Sequence, residues 1–263
     1  MGWLLGGILL VLGLVSPALA QGPVSPTEAM RVGNQHYEAG EFVEAANVYE
    51  TIIAAGIRDS ALYYNLGNAY FKQGEVGRAI LNYRRAQYLS PRDPDIADNL
   101  AIARSQTVDK FENVEAEETP FSNFVQVAEE WLTLDEAAML ALFLWALLCI
   151  TMVVMILRPR WRSLCLWMGG AIALFLGLGL LSMAGRYYAQ EAYPAAVIVV
   201  QEVDVTSGPG SSQQYLVEFN LHAGAEVQLL DSRPGWRRVA LPGNDFQGWV
   251  PEEAVEPVGP GEG

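Results

Sequence analysis

The chain has 263 residues, 51% of them hydrophobic, and a formal net charge of −14. That acidic balance excludes nucleic acid as a partner, since a phosphate backbone demands a basic face. Two cysteines, Cys149 and Cys165, both inside apolar runs and without a Cys-x-x-Cys or Cys/His cluster, exclude a disulfide framework and give no reason to expect a metal or redox cofactor.

Met1–Ala20 is an apolar stretch broken by Ser16-Pro17 and closed by Ala18-Leu19-Ala20, the small-residue pattern of a cleavage site. Residues 1–20 are therefore read as a cleaved signal peptide, with Gln21 as the mature N-terminus. An uncleaved anchor is the competing reading, because only the α-amino group supplies positive charge before the apolar run.

The next stretch repeats itself. Residues 26–59 align without a gap on residues 60–93, with Gly33 on Gly67, Gly40 on Gly74, Ala45 on Ala79 and Tyr49 on Tyr83, each 34 residues on. A fixed period of this length marks stacked helix-turn-helix units. Gly67 and Ala79 let the two helices of a unit approach, tyrosines fill the space that the small residues leave, and Gly40 and Gly74 turn the chain between helices. Two units bury little, so residues 94–106, where Ile96 and Leu100 keep helical spacing, are expected to cap the array.

Period and pattern together resemble the tetratricopeptide (TPR) family. In the second copy Tyr63, Leu66, Gly67, Tyr70, Ala79, Tyr83, Ala86 and Pro91 fill the family's signature positions. The first copy departs from it, with Ala29 at the leading aromatic, His36 at the second and Ile57 in place of the proline. The resemblance implies a concave groove lined by the first helix of each repeat, here Asn34, Tyr37, Asn65, Asn68, Phe71 and Lys72, which holds a partner protein's helix or extended segment. Asn34 and Asn65 match the asparagines with which some members clamp a terminal carboxylate, and they are equally the repeat's consensus. Met30, Asp95 and Asn99 stand at the clamp's basic positions, so its charges are missing.

Residues 107–120 are acidic and poor in apolar residues, as a mobile linker is. In 121–132, Phe121, Phe124, Val125, Ala128 and Leu132 fall mainly on one helical face, which suits either the membrane surface or the array. Ala137–Leu157 and Ser163–Met183 carry no charge, and each is 21 residues, long enough at ~1.5 Å per residue to span the ~30 Å hydrocarbon core. Thr133 and Glu136 form a capping box before the first span, and Trp131, Trp161, Trp167, Tyr187 and Tyr188 fall where interfacial aromatics belong. Gly169, Ala173 and Gly177 are expected to give the second span one smooth face toward the first.

The loop 158–162 between the spans holds Arg158, Arg160 and Arg162 and no acid, while residues 21–136 hold 19 acids and 9 bases and residues 163–263 hold 11 and 4. The positive-inside rule places that loop in the cytoplasm and both acidic flanks on the outer face of the cell membrane. No ionisable residue lies within either span, so transport is not indicated.

After the second span, alternation replaces helical period. AAVIVV (195–200), EVQLL (226–230) and WRRVAL (236–241) read as short strands separated by Gly/Pro-rich turns, and predict a small, self-contained β-barrel. Asp204-Val205-Thr206-Ser207-Gly208-Pro209, Leu221-His222-Ala223-Gly224 with Val227, Gly235-Trp236 with Val239, and Gly248-Trp249-Val250-Pro251 resemble the bacterial SH3 (SH3b) family over residues 195–258. The family usually has Asn and Arg where this chain has Asp204 and Thr206. The resemblance makes Tyr215, Trp236, Phe246 and Pro251 surface candidates for a ligand and gives Trp249 to the core. Related domains bind wall peptides or protein; the acidic balance here puts peptidoglycan second.

The overall class is thus a multidomain membrane protein: a helical TPR array, a two-helix transmembrane hairpin and an all-β SH3-like barrel. His36 and His222 lie in different modules without a nucleophile nearby in sequence, and no phosphate loop or hydrolase motif occurs, so no enzyme is expected. The module order, with Tyr83-Arg84-Arg85-Ala86, Pro91-Arg92-Asp93-Pro94-Asp95 and Asn99-Leu100-Ala101, resembles the TPR-containing membrane component of the Bat (Bacteroides aerotolerance) group. That resemblance implies membrane proteins with von Willebrand A domains and a MoxR-type ATPase as company, and a scaffold as the role. A wall sensor led by the SH3b domain is the competing reading.

Overall fold

The structure is a computed structural model, and it describes residues 25–110, 134–211, 213–241 and 246–259. The expected signal peptide, most of the acidic linker, the 121–132 helix, Trp131 and Thr133 lie outside the described residues.

Five helices come first: α1 (Pro26–Glu38), α2 (Phe42–Ala54), α3 (Ser60–Gln73), α4 (Val76–Leu89) and α5 (Pro94–Ser105). The first helix of each unit is started by a side-chain cap. Ser25, Asp59 and Asp93 accept from backbone N–H groups of the turns they precede, and Pro26 and Pro94 sit where the missing N–H costs nothing. Gly40 and Gly74 end the first helices with φ of +80° and +82°, a conformation that glycine adopts without strain.

The small/large pairing in the sequence is a physical contact. A Cβ on Gly33 would stand 2.4 Å from the Tyr49 ring, and one on Gly67 would stand 2.7 Å from the Tyr83 ring. Both tyrosines are 1% exposed, so the departing first copy packs as the second does. Ala45, Ala79, Leu62, Leu66 and Ile80 complete the core between them, while Ile96, Leu100 and Ala103 of α5 close its end.

Two long apolar helices follow, α6 (Leu134–Leu157) and α7 (Arg162–Ala192), joined by a single 3₁₀ turn over Pro159–Trp161. Both are long and apolar enough to cross a membrane, and most of their side chains face outward. They pack on each other along a seam that includes Leu148 and Thr151 of α6 and Cys165, Gly169, Ile172 and Leu176 of α7. This corrects the expected smooth face. Gly169 does approach α6, with 3.7 Å from its Cβ position to Thr151, but Ala173 and Gly177 point away from it and Gly177 has nothing within 4 Å. The seam follows the apolar bulk of Ile172 and Leu176 instead of the four-residue spacing of small residues.

Only Tyr193 and Pro194 separate α7 from the first strand. The seven strands are β1 (Ala195–Ile198), β2 (Glu202–Thr206), β3 (Val217–His222), β4 (Glu226–Arg233), β5 (Trp236–Ala240), β6 (Gln247–Pro251) and β7 (Val255–Pro257). They form one antiparallel sheet in the order β3-β2-β6-β5-β4-β1-β7. Leu221 of one edge strand and Val255 of the other share a cluster with Val205, Val227, Val239 and Val250, so the sheet wraps around a single core. Thr206, 1% exposed, donates its hydroxyl proton to the Gly208 carbonyl at 2.9 Å with the Trp249 carbonyl also in reach, which ties β2 to β6.

The sheet is not self-contained. Val197 and Val258 belong to the core of the helical array, and α4 packs directly on β1. Gly77 of α4 makes that approach, since a Cβ there would stand 2.7 Å from the Ile198 carbonyl oxygen. Array and sheet therefore share a buried boundary. The residues that form it carry no common period, which is why the sequence pattern points to separate modules.

Candidate protein-binding surface

The first helices α1, α3 and α5 stack side by side, and asparagines stitch them. Asn34 Oδ1 accepts from the Tyr49 hydroxyl at 2.8 Å and from Asn65 Nδ2 at 3.1 Å. One period later Asn68 Oδ1 accepts from the Tyr83 hydroxyl at 2.7 Å and from Asn99 Nδ2 at 3.0 Å. Each pair joins a tyrosine of its own repeat to the next first helix. Asn99 is a structural partner that sequence reasoning misses, although it stands 34 residues after Asn65.

This arrangement separates the six groove candidates into two kinds. Asn34, Asn65 and Asn68 are half-buried and hold the stack together. Tyr37 is half-buried against Phe42, ring centroids 5.3 Å apart and edge to face, and Phe71 is half-buried against the array core. Lys72 is exposed. Burial pushes the phenol groups of Tyr37, Tyr49 and Tyr83 above their ordinary range. His36 is half-buried, with Nδ1 2.6 Å from a Glu41 carboxylate oxygen.

On the β-domain, the four surface candidates are spread over separate contacts. Trp236 and Pro251 face each other as register partners on β5 and β6. Phe246, 61% exposed, meets Phe219 edge to face at 6.0 Å. Tyr215 lies over the Gly208–Gly210 turn, closer than a Cβ on either glycine would permit. Trp249 is 8% exposed, and the Arg233 guanidinium lies 5.9 Å from its ring centroid, on the domain's rim.

The residues that sequence reasoning misses are those that join the modules. Glu226 of β4 accepts from Arg104 through both oxygens, at 2.6 and 2.9 Å, and pairs with Arg84 at 3.0 Å. Arg85 donates to the Pro257 carbonyl at 2.9 Å and to Glu256 at 3.2 Å. Burial lowers the Arg84 pKa while Glu226 opposes that and Arg104 adds to it. Asp109 accepts from the His222 backbone N–H at 2.6 Å and faces its Nδ1 at 2.9 Å, so the start of the acidic segment, expected to be a mobile linker, is held on the sheet. Arg92 pairs with Glu136 at the head of α6. Only the Tyr83-Arg84-Arg85-Ala86 string hints at this boundary, and it does so without naming its partners.

The docked β-domain covers α4 and the end of α5, not the α1 and α3 faces that carry Tyr37, Phe71 and Lys72. Among the described residues no group of three or more His, Cys, Asp or Glu is placed to hold a metal ion.

The profile of the tetratricopeptide repeat family matches residues 60–93, the second copy. That repeat is a non-catalytic unit of protein–protein interaction. No curated protein matches the chain.

Proposed function

We propose that this chain is a membrane-anchored scaffold whose repeat groove holds a segment of a partner protein. The carrying observation is that the β-domain docks on α4 and leaves Tyr37, Phe71 and Lys72 accessible on the first-helix face. An aromatic pair beside one flexible cation suits an extended or helical segment with apolar anchors and an acidic group. The α6–α7 hairpin crosses the membrane with Arg158, Arg160 and Arg162 in the cytoplasm, so array and β-domain both stand on the outer face. The motif string of the β-domain supports an SH3b identity, and the module order supports membership of a Bat-like envelope complex with von Willebrand A-domain proteins as partners. Wall peptide is the competing ligand for Tyr215, Trp236, Phe246 and Pro251.

A photo-cross-linking residue placed at Lys72 tests this in native membranes, with the same residue at Tyr215 as the second arm. A protein adduct at 72 that disappears in Phe71→Ala supports the groove. Adducts to wall fragments at 215, with none at 72, would replace the scaffold by a wall sensor. Asn68 is unsuited to such a test, because its loss also releases Tyr83 and Asn99.

A further inference from the structure

Residues 137–190 contain no aspartate or glutamate, although the chain carries 30. Within that acid-free stretch Arg158, Arg160 and Arg162 stand in the five residues that turn α6 into α7. All three are exposed, and their side chains have no hydrogen-bond or ion-pair partner among the described residues. Arginines of the array and the β-domain differ: Arg84, Arg85, Arg92, Arg104 and Arg237 each face a glutamate. Three guanidiniums gathered without an acid repel one another, so their compensation comes from outside the chain.

The turn presents them on an ordered backbone. Pro159 opens the 3₁₀ turn, the Arg158 N–H donates to the Val154 carbonyl at 2.9 Å, and the Trp161 N–H donates to the Arg158 carbonyl at 2.9 Å. Neighbouring arginines are two residues apart, so their Cα atoms lie at most ~7 Å from each other. The surface around them is apolar. Ile156, Leu157, Trp161 and Leu164 are exposed, and Trp167 is 80% exposed. A ligand that satisfies both features carries an anion at one end and hydrocarbon at the other.

We infer that this turn is a binding site for an anionic phospholipid of the leaflet that it faces. The phosphodiester oxygens accept from the arginines, whose planar forks match two oxygens at once. The acyl chains lie along Ile156, Leu164 and Trp167. The site rests on the reading that the hairpin spans the membrane and adds to it: the same charge that orients the loop also selects the lipid beside it. A zwitterionic lipid offers the same phosphate but brings its own cation, so phosphatidylglycerol is preferred to phosphatidylcholine. A soluble phosphate would leave the exposed leucines and tryptophans unused.

The full chain in detergent micelles is given equal amounts of phosphatidylglycerol and phosphatidylcholine, and the retained lipid is read by native mass spectrometry. Saturable retention of phosphatidylglycerol is expected, at least ~10-fold above that of phosphatidylcholine. Arg158→Gln/Arg160→Gln/Arg162→Gln removes the preference and leaves the thermal midpoint unchanged, because these side chains hold no other part of the fold. Arg31→Gln/Arg58→Gln/Arg233→Gln, which removes the same charge from exposed positions elsewhere, keeps the preference. Inorganic phosphate alone is the third arm, and displacement of phosphatidylglycerol by millimolar phosphate would assign the turn to a free anion and overturn the lipid. Equal retention of the two lipids by wild type, or an undiminished preference in the loop variant, also overturns the site. Failure of the spanning reading shows separately, as labelling of Arg160→Cys by an impermeant maleimide in intact cells, and does not change what the micelles report.

Discussion

Arg104 and Glu226 stand 122 residues apart in the chain and join through two hydrogen bonds of 2.6 and 2.9 Å. The same carboxylate pairs with Arg84 at 3.0 Å, so one acid of the β-domain receives two cations of the helical array. A paired guanidinium and carboxylate of this geometry is stronger than a neutral contact and more exacting about angle.

Glu226→Gln keeps the size and removes the charge. Arg84 is then left partly buried without its counter-ion, and a loss of about 1–3 kcal/mol is expected, toward the lower figure because Arg104 is half exposed. Chemical unfolding of wild type should follow one transition, and the variant should separate into two as the modules uncouple. A single unshifted transition in the variant would show that the apolar boundary at Val197 and Val258 suffices alone.

Gly33→Ala tests whether the weaker copy is a working repeat. Its Cβ would enter the Tyr49 ring, which cannot simply turn aside because its hydroxyl is bonded to Asn34. A loss of about 1–3 kcal/mol is expected, similar to that of Gly67→Ala. Equal thermal midpoints for Gly33→Ala and wild type would count against the equivalence.

Alkaline pH should unfold the array in a defined window. Burial raises Tyr49 to about 12, and burial with the Glu50 contact raises Tyr70 to about 12. The unfolded chain releases these protons near pH 10.0 while the folded chain keeps them, so stability is whole below that pH and falls as pH rises from there toward 12. Each tenfold difference in proton affinity between the folded and unfolded chain corresponds to about 1.4 kcal/mol per tyrosine. Tyr49→Phe should shallow the pH dependence of urea unfolding; an unchanged slope would remove Tyr49 as a contributor.

The orientation of the hairpin is open to direct labelling. With Cys149 and Cys165 replaced by alanine and a single cysteine placed at Arg160, a membrane-impermeant maleimide should react only after the inner face is opened. Labelling of intact cells at that position would reverse the proposed topology.

Much of the array is legible in the sequence because its determinants are local and recur. Gly33 and Tyr49 lie 16 residues apart, the pair returns one period later, and the buried spacing of Ile96 and Leu100 continues it. Strand positions in the β-domain are legible for the same reason, through alternation and turn residues. The boundary between the modules is not. Gly77, Glu226 and Val258 look like ordinary surface or turn residues until the chain brings Ile198, Arg104 and the array core against them. The groove asparagines admit two readings from their positions alone, binding and consensus, and the bonds among Asn34, Asn65, Asn68 and Asn99 give them a structural role.

The 31-residue helix α7 runs on past the apolar stretch and feeds β1 after only two residues. From Gly185 to Ala192 it adds about 10 Å of stalk at 1.5 Å per residue. Arg92, paired with Glu136 at the head of α6, supplies a second footing. If the hairpin spans a bilayer, these two connections set the height and heading of the groove above the lipid, and a partner presents its segment from that direction.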